Sequence, residues 1–199
     1  MLIDGPVGSL EIECTDNTGQ DTMAILCHPH PSYGGNMDDL VLAEARACCE
    51  KLRIPRVRFN FRGVGASEGR HDSSDAEYNG EVEDLKAVLS WMRTVFPAER
   101  VIGIGYSFGS FIINRGDQLN LFDKSVLIAP PNVSMAFIFD NPERPCDIVY
   151  EEKDPHIDPK KFPSQAKLGV KTVKDGDHFF YGSYGDLFAQ IMSSLTEEY

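Results

Sequence analysis

The stretch Val101-Ile102-Gly103-Ile104-Gly105-Tyr106-Ser107-Phe108-Gly109-Ser110-Phe111-Ile112-Ile113-Asn114 decides how the chain is read. Residues 101–106 form an apolar run of strand length, and residues 108–114 open a helix. Between them, Gly105-Tyr106-Ser107-Phe108-Gly109 matches G-x-S-x-G. A serine on so sharp a strand-to-helix turn sits in a strained backbone conformation, and side chains at the two glycines would collide with the neighbouring strand and helix. The turn lifts the Ser107 Oγ above the sheet. The first helix amide, that of Phe108, then points at a negative charge developing on an attacked carbonyl.

The pattern alone is weak, because Gly65-Ala66-Ser67-Glu68-Gly69 matches it too. Context separates the two. Ser107 follows the apolar VIGIG and precedes the apolar FIIN. Ser67 precedes GRHDSSD, which has no helical face, and residues 62–64 part it from its strand. The strand–turn–helix requirement therefore selects Ser107.

Outward from this turn, short apolar runs alternate with amphipathic segments. Strands are expected at 9–14, 23–27, 56–61, 125–129 and 147–150, with a weaker one at 170–173. Helices are expected at 36–52 and 81–95, and the last element repeats Tyr184, Leu187, Phe188, Ile191, Met192 and Leu195 at helical spacing. Residues 16–20 (DNTGQ) carry turn chemistry, residues 62–69 form a glycine-rich loop, and Pro97 ends the second helix. Gly63 and Gly65 read as turn glycines, with Arg62 tying that loop down. Such alternation predicts an α/β fold: a mostly parallel central sheet with helices on both faces. Residues 1–199 read as a single domain, with no repeat and no linker. Only 132–145 separates two neighbouring strands, so the cap is minimal or absent.

Composition narrows the function. The chain has 199 residues, 42% hydrophobic and 25% charged, with a formal net charge of −12. That balance argues against nucleic acid or an anionic membrane as partner, since both demand a cationic face. No apolar stretch is long enough to span a bilayer, and residues 1–9 hold neither a basic nor a long apolar segment, so a cytoplasmic protein is expected. The five cysteines (14, 27, 48, 49, 146) form no CxxC pair and read as buried thiols. His28 and His30, two apart with no acidic partner at a standard spacing, make a poor metal site. They read as stiffeners of their loop, one imidazole being bonded inside. No metal and no cofactor is expected: Gly103 and Gly105 lack the third glycine of a dinucleotide loop, Phe108 standing in its place.

A serine nucleophile needs a base, and the base needs an orienting acid. In this arrangement the chain order is Ser, acid, His. Only His156 and His178 follow Ser107. His178, in Asp175-Gly176-Asp177-His178 before the last helix, reads as the base. His156 falls where the acid belongs, after the strand at 147–150. There Asp154 is preferred over Asp158, Glu152 and Glu151. A second oxyanion donor is expected from the loop after residues 23–27. Pro29 and Pro31 lack an amide hydrogen, which leaves Tyr33 or His30 beside Phe108. Met135, Phe137, Phe179 and Phe180 are candidates for an apolar substrate pocket.

These residues together resemble the α/β-hydrolase superfamily, and within it the small bacterial, dienelactone-hydrolase-like branch of uncharacterised esterases. The matching blocks are HPHPSYGGNM (28–37), RFNFRGVGASEG (58–69), GYSFGS (105–110), LIAPP (127–131) and DGDHFF (175–180), in order along nearly the whole chain. The resemblance implies Ser107 as nucleophile, His178 as base, a non-catalytic Ser67, and small esters or thioesters as substrates. One departure is that relatives commonly carry a Gly-Asp pair two residues before the catalytic aspartate, where this chain reads Tyr150-Glu151-Glu152-Lys153-Asp154. Two alternatives stand beside the esterase: a non-catalytic binding or regulatory protein on the same fold, and another hydrolysis, by a peptidase or perhydrolase, on the same triad.

Overall fold

In the computed structural model, residues 1–15, 20–96 and 98–197 are described. The expected turn at 16–20, apart from Gln20, and the helix stop at Pro97 lie outside them. Strands β1 (Leu2–Gly5), β2 (Gly8–Cys14), β3 (Thr22–Cys27), β4 (Arg56–Phe59), β5 (Arg100–Tyr106), β6 (Lys124–Ile128), β7 (Cys146–Glu151) and β8 (Leu168–Val173) form one sheet, ordered β1-β2-β4-β3-β5-β6-β7-β8. The first two pairings, β1 with β2 and β2 with β4, are antiparallel, and every later pairing is parallel.

Parallel neighbours need crossovers, and helices α1 (Leu40–Leu52), α2 (Asn79–Val95) and α3 (Phe108–Gln118) supply three of them; α4 (Tyr184–Thr196) closes the chain. The β3–β4 crossover runs one way along the sheet, and β4–β5 and β5–β6 run the other. Right-handed crossovers therefore put α1 opposite α2 and α3, and α4 packs beside α1. The central strands are buried on both faces: β3 from Met23 to Cys27, and all of β6 and β7. The connection from β6 to β7 contains neither helix nor strand, so it adds no cap element over the carboxyl edge of the sheet.

The turn after β5 is packed backbone against backbone. A Cβ at Gly105 would lie 2.3 Å from the Gly109 carbonyl oxygen, and one at Gly109 would lie 2.0 Å from that of Cys27 in β3. Neither neighbour is a side chain that can swing away. Gly109→Ala is expected to cost about 3 kcal/mol of stability, at the top of the overpacking range, because α3 must lift off β3. Denaturant unfolding measures this, and a loss below about 1 kcal/mol would contradict the close packing.

The glycine-rich loop after β4 is held as expected. Gly63 (φ 76°) and Gly65 (φ 57°) occupy left-handed turn positions. The Arg62 guanidinium reaches the fully buried Asp84 on α2 through Nη2 at 2.7 Å and Nε at 3.0 and 3.1 Å. Four of the five cysteines are buried, and burial pushes the Cys48 and Cys49 thiols up to about 12. Among the described residues, no helix is long and apolar enough to cross a membrane.

Candidate active site

Ser107 caps α3 with φ 51° and ψ −116°, a left-handed conformation strained for a residue with a side chain. The surroundings hold it there. Its amide donates to the Ile128 carbonyl in β6 at 2.8 Å, and its own carbonyl accepts the Ser110 amide at 2.9 Å and the Ser110 hydroxyl at 2.5 Å. Phe108 follows as the first residue of α3, where an amide has no helical acceptor.

Ser67 is placed quite differently. It is buried, its hydroxyl donates to the Asn60 carbonyl at 2.6 Å, and its oxygen accepts the Glu11 amide at 2.9 Å. Both bonding roles of that hydroxyl are taken up in pinning the loop after β4 to β2.

The loop between β8 and α4 brings His178 over the sheet. Asp177 Oδ1 accepts the Phe179 and Tyr181 amides, and the Tyr106 hydroxyl donates to the His178 carbonyl at 3.0 Å. His178 Nε2 then lies 3.0 Å from Ser107 Oγ, and Nδ1 lies 2.6 Å from Asp154 Oδ2. Asp154 is buried, with its other oxygen accepting the His156 amide at 2.9 Å. A carboxylate at Nδ1 fixes the tautomer that leaves Nε2 free to accept the serine proton. The competing acids are engaged elsewhere: Glu151 accepts the Lys153 amide, Glu152 meets the Thr172 hydroxyl, and Asp158 caps a short turn at Lys160.

The two candidates for the second oxyanion donor part company. The Tyr33 amide donates to the His30 carbonyl at 3.1 Å, closing the 3-10 turn Pro31–Tyr33, so it is not free to serve. The Gly35 amide donates to the same carbonyl, which fixes the orientation of the chain at His30. The His30 ring is set as well: its Nδ1 accepts the Ser32 amide, so Nε2 carries the proton, 3.5 Å from the Tyr78 hydroxyl.

His28 is fully buried, its Nε2 accepting the Phe61 amide at 3.1 Å while Nδ1 donates to the Pro29 carbonyl at 2.7 Å. Burial lowers both His28 and His30 to about 4. An unfolded histidine takes up its proton near pH 6.5, so between there and about pH 4 the unfolded state binds more protons. Stability is therefore expected to fall as pH drops through that window. Asp117, raised to about 6 by burial, takes up its proton first in the folded state and opposes the trend. Denaturant midpoints at neutral pH and at about pH 5 should show the loss, and His28→Gln should reduce it; a profile equally steep in the variant would contradict this.

A cleft of 530 Å³ opens over Ser107, lined among others by His30, Met135, His156, His178 and Phe179. Met135 and Phe179 thus stand where a pocket was expected. Phe137 and Phe180 do not. Phe137 turns away to pack its ring on Phe111 and Phe139. Phe180 takes φ 57°, which drives its ring into the core behind Tyr106. Tyr106 and Asp39 line the cleft without having been singled out in the sequence. Tyr106 filled a variable position of the motif, and Asp39 is the N-cap of α1, accepting the Val41 and Leu42 amides. Among the described residues, no group of three or more His, Cys, Asp or Glu is placed to hold a metal.

An eight-stranded, mostly parallel sheet with a strained serine at the end of its fifth strand defines the class: the chain belongs to the α/β-hydrolase superfamily. It is similar to an α/β serine hydrolase homologue from Coxiella burnetii, at 31% identity and TM-score 0.83, over 98% of this chain and 96% of that one. A lidless α/β serine hydrolase from Xanthomonas campestris matches at 29% identity and TM-score 0.83, over 98% and 92%. An uncharacterised protein of Rickettsia prowazekii is 30% identical, over 90% of this chain and 81% of that one. No family model matches the chain.

Proposed function

We propose that the protein is a serine hydrolase of small carboxylic esters or thioesters, working through an acyl-enzyme on Ser107. The observation that carries this reading is the unbroken hydrogen-bond chain from Ser107 Oγ through His178 to the buried Asp154. A binding module has no use for such a chain, and the serine hydrolases to which the protein is similar support the same reading.

The steps follow from the geometry. Ser107 Oγ attacks the acyl carbonyl carbon as its proton passes to His178 Nε2, and the amides of Phe108 and His30 stabilise the oxyanion. The carbon–oxygen or carbon–sulfur bond to the leaving group breaks, and that group takes the proton from His178. Water, losing a proton to His178, then attacks the acyl-enzyme. The bond from the acyl carbon to Ser107 Oγ breaks, Oγ takes the proton back from His178, and the product leaves as the carboxylic acid, which then ionises in water. Asp154 stays ionised and keeps the imidazole tautomer throughout.

Because the β6–β7 connection adds no cap element over the cleft, short acyl chains should be turned over best. A panel of p-nitrophenyl esters of rising chain length, with acyl-CoA thioesters alongside, tests both points. Activity falling off beyond short chains is expected. No turnover of any member, with no labelling by a fluorophosphonate, would overturn the reading.

A further inference from the structure

The charge and ring chemistry around the cleft go further than its hydrolytic machinery. Among the described residues, no lysine or arginine lines it, and its one carboxylate besides the triad is Asp39. Asp38, next in sequence, is engaged by the Arg58 guanidinium at 2.6 Å, whereas the bonds of Asp39 go to the two neutral amides it caps. Burial and then the Asp39 carboxylate push the Tyr106 hydroxyl up, with Asp177 adding to the effect. The carboxylate that the cleft adds to the triad is thus that of Asp39, in a protein that is itself strongly anionic.

The second observation is aromatic. Tyr33 lines the cleft 89% exposed and Phe179 lines it 54% exposed. Tyr181, 61% exposed, lies with its ring 5.8 Å from that of Phe179. Large exposed rings at a mouth that, among the described residues, no lysine or arginine lines suit a ligand carrying a diffuse positive charge, because the ring face is the negative part of its quadrupole. A net charge of −12 raises the local concentration of such a ligand and depresses that of an anionic one.

We propose that the substrates of this cleft are esters bearing an alkylammonium group, with Asp39 and the rings of Tyr33 and Phe179 discriminating the cation. This rests on the hydrolase reading for the reaction but concerns binding, so the two can be tested apart. The probes are butyrylcholine and the neutral ester in which carbon replaces its ammonium nitrogen, titrated calorimetrically into full-length Ser107→Ala. A second matched pair carries the trimethylammonium on the acyl chain and tells which side of the ester is read. In at least one pair the cation should bind roughly tenfold more tightly than its isostere. That advantage should shrink several-fold in Ser107→Ala with Asp39→Asn, the remainder being held by the rings, since asparagine caps a helix as well as aspartate and removes only the charge. It should also weaken at high salt. Equal or weaker binding of the cation in both pairs would overturn the proposal, as would an advantage that Asp39→Asn leaves untouched. Failure of the hydrolase reading shows separately, as wild-type protein that turns over neither member of a pair.

Discussion

Ser107→Ala is expected to lower kcat for a good p-nitrophenyl ester by roughly 10⁶-fold, to the level of an oxyanion site without its nucleophile. The Oγ is the only atom at the head of the strained turn that both meets His178 Nε2, at 3.0 Å, and sits in the open cleft. Alanine removes that atom and nothing that holds the turn: the bonds from the Ser107 amide to Ile128 and from Ser110 to the Ser107 carbonyl are backbone contacts at position 107 and survive. The denaturation midpoint should therefore stay close to wild type, which separates lost chemistry from lost fold. Ser67→Ala provides the contrast. It removes a buried hydroxyl that bonds Asn60 and Glu11. About 1–2 kcal/mol of stability should be lost, with kcat changed little. A fluorophosphonate probe should label wild type and Ser67→Ala but not Ser107→Ala. Residual activity of Ser107→Ala within about a hundredfold of wild type would move the nucleophile elsewhere.

The same two serines show how much of the molecule was legible in advance. The sheet could be read because its central strands are continuous apolar runs, and a run buried on both faces leaves that signature whatever its partners are. Strand β1 was hidden. Leu2–Gly5 has four residues, and of its two large apolar side chains only Ile3 is buried, too little for a period-two pattern. The strand expected at 56–61 stops at Phe59, because the Phe61 amide turns from the sheet to the His28 ring. The helix expected from residue 36 starts at Leu40, where Asp39 caps it; the pattern of apolar residues cannot tell an N-terminal loop from a first turn when Met37 happens to fall in phase.

The site was legible where chain order constrains it and opaque where packing decides. Order and context pointed to Ser107, His178 and Asp154, and the structure brings these three together. Against the Tyr33 amide as an oxyanion donor, the sequence carries a signal of its own. Pro31 favours the first position of a helical turn, and a turn opened there closes on the Tyr33 amide. Phe179 and Phe180 are adjacent and chemically identical, yet one rims the cleft and the other fills the core. Asp177 capping the Phe179 amide and the positive φ of Phe180 decide which is which, and neither leaves a periodic trace. Asp39 falls inside the helix expected at 36–52, so neither its capping of α1 nor its place at the cleft leaves a trace in the sequence.

Asp154→Asn should cost roughly 10⁴-fold in kcat while leaving stability and KM near wild type. The loss depends on which atom of the new amide faces the imidazole. Asp154 Oδ1 accepts the His156 amide at 2.9 Å, and Oδ2 faces His178 Nδ1 at 2.6 Å. Asparagine has one carbonyl oxygen for these two positions. The backbone amide of His156 can only donate, so it claims that oxygen and turns the NH₂ group toward His178. Facing a donor, Nδ1 must give up its hydrogen, and the neutral ring then carries its proton on Nε2, pointing at Ser107 Oγ. The base is lost by tautomer rather than by displacement, which is why the barrier rises while substrate binding does not. Glu151→Gln is the matched control: that carboxylate is also buried at the end of β7, but it bonds the Lys153 amide and not His178. It should change kcat by less than about tenfold, the residue being outside the proton path. A kcat for Asp154→Asn within tenfold of wild type, or a larger loss in Glu151→Gln, would take the orienting role away from Asp154 and return it to the other acids of that loop.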